Sequence, residues 1–149
     1  MLPVKKSTLM TVLLLILPLL MVVIAAGPSG VTVFDGEKTA YYSWLQPVVK
    51  SSFGWCAPVA ALLNYLLFGI GVFYAVTKKQ WCLKGIFGIS FVAACIAVLP
   101  VVIQSEIKVV PNVMGAILLG ADCVVAYLAR KQAETEKEGK SKGKRLERR

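Results

Sequence analysis

The chain has 149 residues, carries a net charge of +9 and is 57% apolar, with a mean hydropathy of +0.70. A soluble domain of this size has too much surface for its volume to bury that much apolar area, so lipid must be the solvent for much of it. Histidine is absent, which excludes Ser-His-Asp and Cys-His catalysis, His-ligated zinc or haem, and histidine-based pH sensing.

The first apolar block runs from Leu9 to Ala26, behind Lys5 and Lys6. At about 1.5 Å rise per residue it makes roughly 27 Å of helix, enough to span a bilayer. Pro18 lies inside it and is a point where the helix can kink. The charged start, the apolar run and the small residues Ala25, Ala26 and Gly27 also fit a cleaved signal peptide. The run is longer than an ordinary signal core, which favours a retained anchor helix.

Gly27, Pro28, Ser29 and Gly30 break that helix and open a polar segment, 27–55. Val31 to Phe34 reads as a strand, Asp35-Gly36 as a hairpin turn, and Glu37 to Tyr42 as the return strand. Two strands alone are marginal in water, so the hairpin is expected to lean on the helix ends. Tyr41, Tyr42, Trp44, Phe53 and Trp55 then form a dense aromatic set of the kind that collects at the headgroup level.

Three further blocks follow, at Cys56–Thr77, Gly85–Ile103 and Val109–Ala129. Each is of bilayer length, and backbone in lipid must satisfy its own hydrogen bonds, so each is expected to be a helix. A transmembrane barrel is excluded because its strands would alternate in polarity. The links between these blocks are short, which makes antiparallel hairpins. Gln104 to Lys108, with Glu106, reads as a solvated polar turn, and Pro100 and Pro111 sit near helix ends. Residues 130–149 lack apolar side chains to bury and are expected to be a disordered basic tail, helical at most in its first part. The expected fold is therefore an all-α integral membrane protein: a four-transmembrane-helix bundle with a short extracytoplasmic β-hairpin between its first two helices. Residues 1–129 form the membrane domain and 130–149 the cytoplasmic tail.

Orientation follows from charge. The N-terminal segment, the loop after the second block and the tail hold Lys5, Lys6, Lys78, Lys79, Lys84 and nine further basic residues, against Lys38, Lys50 and Lys108 opposite. Positive residues resist translocation, so both termini are expected in the cytoplasm, most simply at the cell membrane. Membrane lipid, and anionic headgroups at the basic tail, are the expected partners, together with a protein partner or further copies of the chain. Nucleic acid is not expected, since no aromatics interleave the tail to stack bases.

Helical projection gives the second block a small face, with Ala57, Ala60, Ala61, Asn64, Phe68, Gly71 and Ala75. The fourth has one with Gly115, Ala116, Leu119, Gly120, Asp122, Cys123 and Ala126, and the third repeats small residues at Ala93 and Ala97. Helices in lipid associate through such faces. Asp122 is the one ionisable side chain well inside a block, and Asn64 is a polar residue near the middle of another. These two make the candidate intramembrane polar site. Burial favours a neutral carboxyl, which would fasten helices by hydrogen bonding, whereas an ionised one would need a cation or water on a transport pathway. The cysteines 56, 82, 95 and 123 form no CxxC pair, and no nucleophile–base pair, phosphate loop, metal set or cofactor motif can be assembled. Cys82 beside Trp81 and Lys84 is a weak candidate for lipidation. The sequence thus favours a non-enzymatic scaffold, assembly or regulatory subunit, with an oligomeric transporter or channel subunit as the alternative.

Overall fold

The computed structural model describes residues 6–28, 30–48, 53–103 and 108–146. The expected turn at 104–107, with Glu106, lies outside them, as do Lys5, Lys50 and the last three residues. The elements in chain order are α1 (Lys6–Ala26), β1 (Val31–Asp35), β2 (Lys38–Tyr42), α2 (Cys56–Thr77), α3 (Gln80–Val102), β3 (Lys108–Pro111) and α4 (Val113–Leu146). Four stretches, Ser7–Ala26, Cys56–Thr77, Gln80–Val102 and Val113–Thr135, are long and apolar enough to cross a membrane.

The helices form a closed ring: α1 packs on α2, α2 on α3, α3 on α4, and α4 returns to α1. The faces turned inward are the small ones. Ala57, Ala60, Ala61, Asn64 and Gly71 of α2 are buried, as are Ala93 and Ala97 of α3 and Gly115, Leu119, Asp122 and Ala126 of α4. Phe68 and Ala75 are only half-buried, and Leu67 and Tyr74 take the enclosed positions instead. Leu62, Leu66, Phe73, Met114, Ile117, Val124 and Leu128 point outward.

The hairpin is present, closed by the pair Asp35–Lys38 around Gly36, whose φ of +59° is a left-handed conformation that glycine adopts without strain. A third strand, unforeseen in the sequence, lies on the other side of β1. The sheet order is β2-β1-β3, with Val31 opposite Pro111 and Phe34 opposite Lys108. Residues 109–112 therefore do not begin the fourth helix, which starts at Val113. Pro111 is tolerated because β3 is an edge strand. Asn112 ends the sheet and caps the helix: its N–H donates to the Gly30 carbonyl at 2.7 Å, and its Oδ1 accepts from the Met114 N–H at 2.9 Å.

Three further expectations need correction. α3 begins at Gln80, not Gly85, so the α2–α3 link is only Lys78 and Lys79. Lys78 makes the reversal with a φ of 52°, its N–H donating to Tyr74 O at 2.8 Å, and Lys84 rides on the exposed side of the first turns of α3. The tail is not disordered from residue 130: α4 runs on to Leu146 as a 34-residue helix. Alanine, glutamate, glutamine, lysine and arginine are strong helix formers, and the Glu136–Lys140 and Glu138–Lys142 spacings suit a helix, so an apolar face is not required to continue one already begun. Finally, Trp44 does not belong to an exposed aromatic belt. Tyr41 and Trp55 are exposed, but Trp44 is completely buried.

Candidate functional site

The α1–α2 seam is built around Pro18. Proline has no N–H, so the Leu14 carbonyl one turn earlier loses its helical donor. Gly71 of α2 sits against that carbonyl; a β-carbon there would lie 3.0 Å from the Leu14 oxygen. About two turns earlier in α2, Asn64 donates its Nδ2 proton to the Pro18 carbonyl at 3.0 Å, buried from solvent. At the Lys78 end of the seam, the Lys78 ammonium donates to Thr11 Oγ1 at 2.9 Å and lies 5.3 Å from the centroid of the Tyr74 ring. Thr11 in turn donates to Ser7 O at 2.9 Å. Asn64 thus fastens α2 to the backbone of α1.

Asp122 lies on a different seam, between α4 and α3. It is 1% exposed. Ser90 of α3, fully buried, faces it. The Ser90 hydroxyl proton is directed to the Ile86 carbonyl of its own helix. Neither carboxyl oxygen of Asp122 therefore receives a hydrogen bond among the described residues. This arrangement suits a neutral acid. A serine oxygen keeps lone pairs after donating its proton, so a protonated Asp122 can donate to Ser90, whose own donor is already placed. An ionised carboxylate at the same spot would be a buried, unpaired charge, which costs several kcal/mol.

Asn64 and Asp122 are both buried, and each serves a separate helix pair; Asn64 is bound to α1 and Asp122 is set against α3. Ser90 was missed from the sequence. Its signal was the i, i+3, i+7 spacing with Ala93 and Ala97, which puts it on the inward face of α3.

Trp44 fills a slot between the sheet and the helices. A β-carbon at Gly30 would overlap its Cδ1 atom, and one at Gly115 would lie 2.7 Å from its Cζ2 and 3.0 Å from Met21 Sδ. Its indole nitrogen has no hydrogen-bond partner among the described residues. Gly30 and Gly115 are needed here for close approach.

Among the described residues, no three His, Cys, Asp or Glu side chains come together as a metal site. The four cysteines are free thiols, and Cys82 is fully buried in the core, which removes the exposure that lipidation requires. No known protein family, curated protein or solved structure matches the chain.

Proposed function

We propose that the chain is a multi-pass membrane protein that crosses the bilayer four times and acts as a non-enzymatic scaffold, assembly or regulatory subunit. The observation that carries this reading is that the polar interior is closed off. Asn64 fastens α2 to the Pro18 backbone of α1, Ser90 is satisfied by Ile86 of its own helix, and Asp122 is enclosed at 1% exposure. In lipid a contact such as that of Asn64 replaces the missing hydrophobic drive between helices.

In this reading both termini are cytoplasmic, by the excess of Lys and Arg on their side, and the membrane is the cell membrane. Lys78, Lys79, Lys84, Arg130 and Lys131 then ring the inner surface, where anionic headgroups would meet them. Gln80 Nε2 donates to the Ala133 carbonyl at 3.2 Å, which supports a common level for the start of α3 and this part of α4. The first helix is retained, not cleaved. Its removal would strip Asn64 and Lys78 of their hydrogen-bond partners and expose the small faces of α2 and α4.

A second reading, an oligomeric transporter or channel subunit with Asp122 on the pathway, draws on one observation: both Asp122 oxygens are unpartnered. Water access separates the two. In a background lacking the four native cysteines, Asp122→Cys is treated with a membrane-impermeant thiol reagent from each side. Ile117→Cys and Lys79→Cys serve as outward-facing and surface controls. The scaffold reading expects labelling at 79 alone. Labelling at 122 would establish a wet cavity and the transport reading.

A further inference from the structure

The sheet has two edges, and they differ. Opposite residues in an antiparallel pair alternate between exchanging both backbone bonds and exchanging none. The two-residue turn makes Asp35–Lys38 a bonded pair, so Val33–Ala40 and Val31–Tyr42 are bonded too. The N–H and C=O groups of Thr39 and Tyr41 therefore point away from β1, and no described residue bonds to them. The edge of β3 offers less. Val109 and Pro111 face it, proline has no N–H, and α3 packs on this strand. β2 packs chiefly on β1 and contains no proline and no bulge. It is an open edge of the kind that accepts another strand.

The strand that suits this edge is β2 of a second copy. Val31 and Val33 on the inner face are buried, and Trp44 fills the slot between the sheet, Met21 and Gly115, so the sheet lies over the end of the bundle. Two antiparallel copies of one strand are related by a two-fold axis perpendicular to their sheet. Two copies inserted alike in one membrane are related by an axis along its normal. Over the end of the bundle these axes run the same way, so neither copy has to be reoriented. A second copy also arrives already confined to the same plane, which raises its effective concentration above that of a strand from solution.

The register follows from which groups are free. Pairing Tyr41 with Tyr41 would bring in Ser43, whose N–H and C=O are already bonded to Gln46. Pairing Thr39 with Thr39 would bring in Glu37, which belongs to the turn. Pairing Thr39 with Tyr41 of the other copy uses every free group on both strands and no other. It sets Ala40 against Ala40 at the axis, in the close, unbonded kind of pair that a small side chain suits. Lys38 then lies opposite Tyr42 of the other copy, so like charges do not face each other. Tyr41, 64% exposed, gains Thr39 and the second Tyr41 as neighbours on the outer face.

We infer that the chain dimerises in the membrane by antiparallel pairing of β2 with β2 of a second copy, which joins the two sheets into one. This rests on the four-span reading above, which puts the sheets of both copies on the same side.

The test uses the full chain without native cysteines, in phosphatidylcholine vesicles with lipid in large excess. Under mild oxidation Ala40→Cys is expected to form an intermolecular disulfide about tenfold faster than Phe34→Cys, which is exposed but lies on β1. When Thr39→Cys and Tyr41→Cys chains are mixed, the mixed disulfide should outrun either like pair. Tyr41→Pro removes an outward N–H at an edge position where proline is tolerated, and should abolish the Ala40→Cys cross-link. Blue Trp44 emission, with Trp55 and Trp81 replaced by Phe, shows that the sheet of this variant is intact; if it is not, the mixed pair, which needs no proline, decides. Equal rates at 40 and 34, or no preference in the mixture, would overturn the proposal. So would a cross-link that survives Tyr41→Pro in a chain with blue emission. Binding of a fluorescent peptide of alternating Thr and Val to a chain that does not cross-link would assign the edge to a strand of another protein instead. A membrane-impermeant thiol reagent checks the four-span reading separately. It should reach Ala40→Cys and Lys79→Cys from opposite sides, and labelling of both from one side would show that this reading itself fails.

Discussion

A methyl group at Gly115 would reach both Trp44 and Met21, whereas one at Gly120, a little over a turn further along α4, meets nothing within 4 Å. Two chemically identical substitutions should therefore differ in sign. Gly115→Ala is expected to cost about 1–3 kcal/mol, because the slot is already filled. Gly120→Ala is expected to be neutral or to gain up to about 1 kcal/mol from helix propensity. With Trp55 and Trp81 replaced by Phe, emission from Trp44 shifts to the red in the first variant and stays blue in the second. Asp122→Asn probes the other buried position. The seam with Ser90 accommodates a neutral acid, so its amide isostere should change thermal unfolding by less than about 1 kcal/mol. A gain of several kcal/mol would show that the native chain carries a buried charge there. Asn64 and Asp122 were legible in the sequence because polar groups stand out against apolar runs. Ser90 was not, since a serine satisfies itself on its own helix backbone and attracts little notice. Trp44 could not be placed, because its slot combines Gly30 with Gly115, far apart in the chain and joined only by the fold.

At the scale of elements, the four helices and most of their inward faces were readable from apolar runs and from spacing, while their ends, and so the length of α4, were not. Val109 and Val110 are β-branched and apolar, so they fit a strand or a helix start equally well from local sequence. What settles them is the vacant side of β1, a tertiary fact. Asn112 after Pro111 was the local sign of a later helix start. The assignment can be tested by a cross-link. Thr32 and Val110 are register partners in antiparallel strands, and such partners have Cα atoms about 4.5–5.5 Å apart, within disulfide range. Thr32→Cys with Val110→Cys, in a background without native cysteines, should form an intramolecular disulfide under mild oxidation. Thr32→Cys with Ile117→Cys should not. Failure of the first pair would restore Val109 and Val110 to the helix.

Across the whole molecule, α1 is one of the four members of a ring, touching both α2 and α4. A cleaved first helix would leave that ring open and take away the partners of buried Asn64 and exposed Lys78. Intact-mass measurement of the protein purified from membranes should accordingly return a chain that still contains Leu9 to Ala26. A mass lower by this segment would mean that the remaining three helices pack differently from the closed ring. The sequence left this point open because a signal core and an anchor helix look alike locally. The contacts of Asn64 and Lys78 with α1 support the anchor reading, and both depend on how the helices are arranged.

The sheet sets an order in time. β1 and β2 leave the ribosome early and can pair at once, but β3 follows α3 and arrives only after the third helix has been threaded. Until then one edge of β1 is bare, and the Gly30 carbonyl waits for the Asn112 N–H. On the four-span reading proposed above, a chain with a helix skipped or inverted would leave β3 on the wrong side of the bilayer and could not close this latch. Such a chain displays an open strand edge, the kind of feature that invites misassembly. On that reading, closure of the third strand would mark completed insertion, on the far side of the membrane from the termini.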